Sequence, residues 1–324
     1  MGQPHGLISP PPIYAPGLRG FIQRRATRYQ IWLRNRGRQW KAFFGSPVAL
    51  IALIIIAFFG LLALFQPLLM SKVLPNKIYN PLMGYDPDFT HPSLPSGKHI
   101  LGTDYKGRDV FSQLAFATRT SLGVGLISAL IGTFIATIVG VSAAYFEGLL
   151  DTILMMFTDV FIMLPPAVVL LIVGLIFELT WVQVGLIYGV FAGLGSFALM
   201  IKVQTLSIKS KLYTQAARVA GGGHWRIISV HILPSLAALI TVNMMFIITG
   251  SVMIEAILSY FERSLRFSWG AMIWFTIDSF RGAAEGLQWH VIMAPAIAIM
   301  LFCGSFYMLS RTLDEVVSPK LKEQ

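Results

Sequence analysis

The sequence contains little charge and almost no cysteine. Only 12% of its 324 residues are charged, whereas soluble globular domains carry about 25%. The single cysteine, Cys303, excludes an intrachain disulfide and a cysteine-rich metal site. Apolar residues take the place of charge, because 55% of the chain is hydrophobic and the mean hydropathy is +0.69. This composition is typical of a protein embedded in a lipid bilayer.

Motifs for nucleotide binding and catalysis are also missing. No Gly-x-x-x-x-Gly-Lys-[Ser/Thr] sequence occurs, so the chain lacks the loop that cradles the phosphates of ATP. It contains no convincing Ser/His/Asp or paired-carboxylate active site, and no series of acids and histidines that would relay protons through a membrane. We therefore expect no enzymatic activity, no catalytic or metal-binding residues and no cofactor. The work of such a chain must be powered by a partner.

Six charge-poor stretches are long enough to cross a bilayer. The hydrocarbon core is about 30 Å thick and needs about 20 helical residues, and helices are favoured because lipid offers no partner for unpaired backbone groups. The first stretch is too long for a cleavable signal peptide, so we expect it to remain as an anchor. The predicted spans are 48–69, 121–144, 155–177, 182–203, 233–258 and 289–310.

Lysine and arginine predict the orientation of these spans. The N-terminal tail to residue 45 holds eight of the 25 basic residues, the loop between the fourth and fifth spans holds five, and the C-terminal tail holds three. The other nine share the opposite face with eight acids. Because basic residues favour the cytoplasmic side, we expect both termini in the cytoplasm and the chain in the plasma (inner) membrane. The excess positive charge behind the net charge of +10 therefore lies at the cytoplasmic surface of the membrane. We expect the lipid bilayer to be its partner and expect no nucleic acid.

Small residues, prolines and two embedded acids mark the spans. Small residues at four-residue spacing let helix backbones approach closely. Pro165–Pro166 should kink the third span, since proline removes an internal hydrogen bond. Asp159 and Glu255 are candidates for the translocation path, with solvation at an interface as the alternative. The small residues are Gly132, Ala136, Gly140 and Ala144 in the second span and Gly185, Gly189 and Gly193 in the fourth.

A polar segment, YTQAARVAGGGHWRIISVHILP (213–234), lies between two apolar runs. Its first eight residues are good helix formers, and Gly221 stands where a left-handed residue ends a helix. Apolar residues then recur at helical offsets from Trp225 to Ile232, which predicts a second amphipathic helix that enters the fifth span at Pro234. The segment is either a rigid elbow or an exposed helix that docks in a groove of another protein.

This segment resembles the EAA loop of binding-protein-dependent ABC transporter permeases, through Tyr-x-Gln-Ala-Ala-Arg-x-x-Gly at 213–221 and the Trp-Arg-Ile-Ile that follows. LGTDYKGRDVFSQL (101–114), the LGTD segment, is similar to a signature of the dipeptide and oligopeptide permease C-type subunits. The resemblance covers roughly residues 48–320. It implies the type I ABC importer permease fold: an all-α polytopic membrane protein with about six transmembrane helices. Later landmarks of that subfamily are matched by Asp151, Asp159, Pro165, Glu255-Ala-Ile-Leu-Ser259 and Ser268-Trp269-Gly270.

The resemblance also implies partners: two cytoplasmic ABC ATPase subunits, a second and non-identical permease subunit, and an extracytoplasmic substrate-binding protein. In such permeases the EAA loop docks in a groove of the ATPase. This chain departs from the pattern at Gln215, where a glutamate is usual, and after Ser259, where Tyr-Phe-Glu-Arg replaces the usual turn. The residues expected to face the binding protein are Asp104, Arg108 and Asp109. The expected coupling residues are Tyr213, Gln215, Ala216, Ala217, Arg218, Gly221, Trp225, Ile228 and Pro234.

We therefore expect a permease subunit that forms the translocation path for di- or oligopeptides. Nickel or oligosaccharides remain alternative substrates of the same importer class, and an ion-driven secondary transporter or a membrane scaffold is the alternative from a different class. The expected regions are a basic, proline-rich cytoplasmic N-terminal tail (1–45), a first transmembrane anchor helix (46–70), an extracytoplasmic loop with the LGTD segment (71–118), a core permease domain with five helices and the coupling loop 208–232 (119–312), and a cytoplasmic tail (313–324).

Overall fold

A computed structural model describes residues 43–69, 76–261, 267–281 and 288–317. The chain divides into two units, Met1–Ser46 and Pro47–Gln324, and every helix named below belongs to the second. The predicted N-terminal tail up to residue 42, the Glu262-Arg263 part of the departure after Ser259, and the C-terminal tail from residue 318 lie outside the described residues.

Each predicted span corresponds to a helix or to a pair of helices. Among the described residues, five helical segments are long and apolar enough to cross a membrane: 47–68, 110–146, 181–209, 224–261 and 289–314. The bent pair 148–163 and 166–176 gives a sixth span when the pair is counted as one. The expectation of an all-α, multi-pass membrane protein with about six spans is confirmed, and the sidedness of the termini stays a prediction. The helices are α1 (Pro47–Leu68), α2 (Asn76–Tyr79), α3 (Val110–Phe146), α4 (Gly148–Met163), α5 (Pro166–Ile176), α6 (Trp181–Leu194), α7 (Ser196–Lys209), α8 (Leu212–Val219), α9 (His224–Ile227), a π-helical turn (Ile228–Ile232), α10 (Leu233–Phe261), α11 (Trp269–Arg281) and α12 (Trp289–Val317).

The second span begins earlier than predicted. α3 contains 37 residues, whereas the sequence-based span began at 121 because Arg119 ended the charge-free stretch. The side chain of Arg119 is exposed, so the helix continues past it. Asp109 caps the N-terminus of α3 by accepting a hydrogen bond from the backbone N–H of Ser112 at 2.7 Å, which satisfies one of the amides that lack an intrahelical partner. The LGTD segment therefore leads directly into α3.

Pro165 and Pro166 break the third span as predicted. α4 ends at Met163, α5 begins at Pro166, and the two helix axes differ by 77°. Leu164 and Pro165 have extended backbone conformations between them. Pro166 occupies the first helical position of α5, where its missing N–H removes no hydrogen bond. The predicted third span is therefore two helices joined by a sharp bend and not one curved helix.

α3 is the central helix, and glycines let its neighbours approach it. A Cβ atom on Gly132 would lie 2.9 Å from the carbonyl oxygen of Gly189, and one on Gly193 would lie 2.8 Å from that of Gly132. A Cβ atom on Gly140 would lie 2.6 Å from the carbonyl oxygen of Ala198. These separations leave no room for a side chain, which confirms the predicted close packing of the small-residue faces.

An aromatic cluster joins α11 to the half of the bundle that carries the LGTD segment. Trp269 is fully buried, and its ring centroid lies 5.3 Å from that of Phe59 and 5.4 Å from that of Phe302. Its indole N–H donates a hydrogen bond to Thr118 Oγ1 at 3.2 Å, and its backbone N–H donates to Ser121 Oγ at 3.3 Å. α11 is thereby attached to the first half of α3.

Candidate functional site: the coupling loop and the LGTD segment

The coupling loop begins with a short helix that ends in a glycine turn. Gly221 follows α8 with φ of +80°. Its N–H donates to the carbonyl oxygen of Arg218, and the N–H of Gly222 donates to that of Ala217, both at 3.0 Å. This pair of bonds is a Schellman motif, which satisfies carbonyls that the end of the helix leaves unpaired. The predicted helix that ends at a left-handed Gly221 is confirmed.

One face of α8 points away from the bundle. The side chains of Leu212 and Val219 are 83% and 90% exposed, and Gln215 and Ala216 are exposed as well. Their spacing of three, four and seven residues places all four on one side of the helix. Thr214, on the opposite side, is buried, and its hydroxyl donates to a carbonyl oxygen of α7 at 3.0 Å. We refer to Leu212, Gln215, Ala216 and Val219 as the docking stripe.

The second half of the coupling loop differs from its predicted pattern at Trp225. α9 continues through the π-helical turn into α10, so the helix that enters the fifth span is confirmed. Ile228 and Ile232 are buried, whereas Trp225 is 81% exposed and was predicted on the same face. The π-helical turn begins only at Ile228, so Trp225 lies before it, in the first turn of α9. Its side chain is exposed at that end of the helix instead of packing beside Ile228.

The expected coupling residues fall into an exposed and a buried group. Ile228 belongs to the bundle core and Ala217 is half-buried. Leu212 and Val219 were missed by the sequence analysis, although their seven-residue spacing around Gln215 and Ala216 was a detectable signal. The exposed members of the expected set are Tyr213, Gln215, Ala216, Arg218, Gly221, Trp225 and Pro234.

Lys209 fastens the start of the coupling loop to the end of α3. Its ammonium group donates to the carbonyl oxygens of Ala144 at 3.1 Å and Tyr145 at 2.9 Å, and it forms an ion pair with Glu147 at 2.7 Å. The last carbonyls of a helix lack intrahelical partners, and a cation there interacts favourably with the helix dipole. The hydrogen bond from Lys209 also lowers the pKa of Glu147 below its usual value.

Asp104 organises the LGTD segment from inside. Its carboxylate is buried and accepts hydrogen bonds from the backbone N–H groups of Lys106 and Arg108 at 2.9 Å each. It also accepts from Arg108 Nε at 2.7 Å and from Gln113 Nε2 at 3.0 Å. Both carboxylate oxygens are thus used within the chain. The guanidinium of Arg108 in addition stacks on Phe275 of α11, 4.3 Å from the ring centroid.

Asp109 is buried beneath the same segment with His99. The Nδ1 atom of His99 lies 2.9 Å from Asp109 Oδ1, and its Nε2 atom lies 3.3 Å from Asp86 Oδ2. Lys98 forms an ion pair with Asp86 at 2.6 Å, and this hydrogen bond lowers the pKa of Asp86 below its usual value. Of the three residues expected to face a binding protein, Asp104 and Asp109 therefore shape the segment internally, and Arg108 is half-buried.

The two acids within the spans have different surroundings. Glu255 is fully buried in α10, where its carboxylate accepts hydrogen bonds from Ser121 Oγ at 3.1 Å and Ser259 Oγ at 2.8 Å. This burial excludes solvation at an interface for Glu255. Asp159 is exposed on α4. The described structure does not bring the two acids together, and their place on a translocation path stays a prediction.

Two families of known proteins match most of the chain. Residues 132–323 match the family described as binding-protein-dependent transport system inner membrane component. Residues 36–94 match the family described as the N-terminal TM domain of oligopeptide transport permease C. The two matches together extend over the first span, the coupling loop and the last span.

Individual proteins with similar sequences agree with these matches. The glutathione transport system permease protein GsiD of Pectobacterium atrosepticum is 33% identical over 74% of this chain and 81% of its own length. The dipeptide transport system permease protein DppC of Bacillus subtilis is 30% identical over 87% of this chain and 85% of its own. The oligopeptide transport system permease protein OppC of Haemophilus influenzae is 29% identical over 93% of this chain and 94% of its own.

Proposed function

The chain belongs to the family of binding-protein-dependent transport system inner membrane components, and we propose that it forms part of the translocation path of an ABC importer for short peptides. As a permease it works within a complex that contains ATPase and substrate-binding-protein partners. We propose that the complex contains two ATPase subunits on the cytoplasmic side and a second, non-identical permease subunit that completes the path.

The docking stripe is the observation that carries this proposal. Leu212 and Val219 expose most of their apolar surface on a short helix outside the spans. The indole of Trp225, six residues after Val219 and beyond the glycine turn, is exposed as well. Exposed apolar surface of this kind marks an interaction site. A short helix that presents a narrow apolar face fits a groove on a protein. The ATPase is therefore the partner that we assign to this surface.

Gln215 supports docking without a salt bridge. Its Nε2 atom donates to the carbonyl oxygen of Ser210 at 3.2 Å, which orients the amide while the side chain remains exposed. A neutral amide replaces the charge of the usual glutamate but retains hydrogen-bonding capacity. We propose that apolar contacts of the docking stripe supply most of the affinity and that Gln215 contributes a hydrogen bond.

The assignment of a peptide substrate rests on the similar proteins. Their names specify glutathione, dipeptide and oligopeptide transport, and all three kinds of molecule are short peptides. The similarity extends over at least 74% of this chain in each case. We propose the same chemical class of substrate here.

Alternating access is the mechanism that we propose. ATP binding brings the two ATPase subunits together and moves the docked α8, and hydrolysis reverses the motion. Because the glycine-mediated packing around α3 makes the bundle stiff, movement of the loop is passed to the spans instead of being absorbed locally. Asp159, exposed on α4, is the residue that we place nearest the path.

Reconstitution of the whole complex tests this function. The chain is purified with its ATPase subunits, second permease subunit and binding protein, and uptake of radiolabelled di- and tripeptides into proteoliposomes is measured with and without ATP. We expect uptake that requires ATP and every subunit. Ion-gradient-driven uptake by this chain alone, without ATP, would contradict the proposal and identify a secondary transporter.

A further inference from the structure

Tyr145, in the last turn of α3, is surrounded by the coupling loop. Its side chain is 4% exposed. The hydroxyl lies 3.0 Å from Nδ1 of His224, and the two rings meet edge to face at 5.6 Å. The guanidinium carbon of Arg218 and the ammonium nitrogen of Lys209 each lie 5.7 Å from the centroid of the tyrosine ring. These three partners come from the end of α7, the last turn of α8 and the start of α9.

We propose that Tyr145 is the positioning residue through which movement of the coupling loop reaches the membrane-spanning bundle, with its hydrogen bond to His224 as the point of attachment. This inference rests on the proposed function, because it requires a partner that moves the loop. It assigns a role to a residue outside the docking surface, and the ATPase does not need to touch Tyr145.

The ring of Tyr145 is anchored in a continuous apolar cluster. Interiors packed in this way have little free volume, so a displacement of one member is transmitted to its neighbours. The hydroxyl group of Tyr145 adds a directional hydrogen bond to His224 of the coupling loop. The cluster joins α3, α7, α9, the π-helical turn and α10 through Val141, Tyr145, Ile201, Ile208, Ile227, Ile228, Ile232 and Leu236.

α3 is suited to carry this displacement to the opposite half of the molecule. Thr118 and Ser121, in the first half of α3, form hydrogen bonds with Trp269 of α11 and Glu255 of α10 through their side-chain hydroxyl groups. From Ser121 to Tyr145 the helix is about 36 Å long at about 1.5 Å per residue. A rigid element with a polar contact at each end is the kind of physical connection that couples distant sites. Tyr145 provides the contact with the coupling loop at one end of α3.

The test removes the hydroxyl group of Tyr145 and keeps its aromatic ring. Tyr145→Phe is introduced into the complete complex in a Cys303→Ala background, which removes the chain's one native cysteine. A reporter cysteine is placed by Asp278→Cys, at an exposed position that lines a cavity of about 340 Å³ beside α10 and α11. The measured quantity is the change in the rate of maleimide labelling when ATP and vanadate are added.

We expect Tyr145→Phe to retain wild-type amounts of bound ATPase while the ATP-dependent change in labelling falls by about fivefold or more, the lower end of typical coupling between sites. His224→Leu should behave in the same way, and the double variant should be no worse than either single variant because both remove one shared interaction. His224→Asn, which keeps a polar atom near the position of Nδ1, should restore most of the response. Tyr307→Phe, at a 52% exposed tyrosine of α12, is the matched control.

Three results are decisive against the inference. A Tyr145→Phe complex that responds like the wild type shows that the hydroxyl transmits nothing. Loss of the ATPase from this variant shows that Tyr145 supports docking rather than transmission. If the unmodified complex binds no ATPase or shows no response to ATP, the proposed function itself fails and this inference fails with it.

Discussion

Single residues show how the chain neutralises buried charge outside the spans. Asp86 is buried and has Lys98 and His99 as partners, and Asp104 is enclosed by donors from its own turn and from Arg108. A buried carboxylate is tolerated only when such partners are present. These acids therefore determine the shape of the loop that precedes α3.

The ion pair between Lys98 and Asp86 predicts a dependence of local stability on pH. The pKa of Asp86 is below its usual value of 3.8, chiefly because of the hydrogen bond from Lys98. A lowered folded-state pKa gives stability that is complete above the unfolded pKa and is lost as the pH falls through the folded one. The hydrogen bond with Asp86 in turn raises the pKa of Lys98 above its usual value of 10.5. The contribution of Lys98 to stability is therefore complete below pH 10.5 and is lost as the pH rises through its folded-state pKa.

Hydrogen exchange of residues 86–99 measures this effect. We expect Lys98→Met to reduce protection between about pH 5 and pH 9, and we expect the difference from the wild type to vanish below the folded-state pKa of Asp86. Lys77→Met, at an exposed lysine of α2, is the control and should change nothing. A difference that persists unchanged after Asp86 has become protonated would show that Lys98 acts through packing of its alkyl chain and not through the ion pair.

Gly140 predicts a large effect of a single methyl group. An alanine Cβ there would lie 2.6 Å from the carbonyl oxygen of Ala198 and 2.7 Å from Cβ of Ile201, and backbone cannot yield as a flexible side chain can. We expect Gly140→Ala to destabilise the detergent-solubilised protein by about 1–3 kcal/mol, as overpacking does. The midpoint of thermal unfolding measures the change.

Gly304 supplies the matched control for that substitution. It lies within α12, and a Cβ atom there would meet nothing within 4 Å. Gly304→Ala should therefore leave the unfolding midpoint unchanged or raise it, since alanine favours helix by about 1 kcal/mol over glycine. Equal midpoints for the two variants would refute the claim that α3 and α7 are in backbone contact at Gly140.

At the scale of elements, the broken third span is the clearest departure from straight helices. Pro165 and Pro166 separate α4 and α5 by a 77° bend. A straight helix between Leu149 and Ile176 would place these residues about 40 Å apart at about 1.5 Å per residue, and the bend shortens this distance. The side chains of Leu149 and Ile176 are largely exposed, so Leu149→Cys and Ile176→Cys supply accessible positions for spin labels.

Removal of both prolines should straighten this span. In Pro165→Ala/Pro166→Ala the backbone N–H groups and the helix propensity of alanine allow the i to i−4 hydrogen bonds to continue. Pulsed electron resonance between labels at 149 and 176, in the Cys303→Ala background, should show a distance that lengthens towards about 40 Å. Pro295→Ala, within the continuous helix α12, is the control. An unchanged distance would show that tertiary packing imposes the bend.

The sequence predicted most elements because their signals are local. The six apolar runs, the kink at Pro165–Pro166 and the turn at Gly221 each follow from residues adjacent in the chain. It failed where the outcome depends on distant contacts or on a change of helix type. Arg119 did not end a helix because its side chain is exposed, and Trp225 is exposed in the first turn of α9 although it was predicted on the face of Ile228.

The candidate site was predicted only in part, because some of its features depend on contacts between residues distant in the chain. The EAA-like motif identified Gln215 and Ala216, but the exposure of Leu212 and Val219 depends on which side of α8 packs on the bundle. Burial of Asp104 and Asp109 likewise depends on Gln113 and His99, whose side chains fold back onto them. Contacts of that kind have no sequence signature.

At the scale of the whole molecule, one helix, α3, joins the two candidate sites. The coupling loop contacts the last turn of α3, and the LGTD segment leads into its first turn. We therefore propose that partners docked at either end act on the same element. This arrangement suits a permease whose ATPase and binding protein lie on opposite sides of the membrane.

Association of the ATPase with the docking stripe tests the central claim most directly. Ala216 is exposed in the middle of the stripe, so Ala216→Arg adds a large charge to the docking face without disturbing the packing of α8 on the bundle. Ala216→Ser is the matched control, because it alters the same position and keeps it small. The measurement is the amount of ATPase that co-purifies with each variant from membranes that contain equal amounts of the permease.

Our account predicts that Ala216→Ser retains the ATPase and that Ala216→Arg loses about tenfold or more of it, since burying an unpaired charge in an interface costs well over 1.4 kcal/mol. Wild-type amounts of ATPase bound to Ala216→Arg would contradict the claim that this face of α8 is where the permease receives its energy.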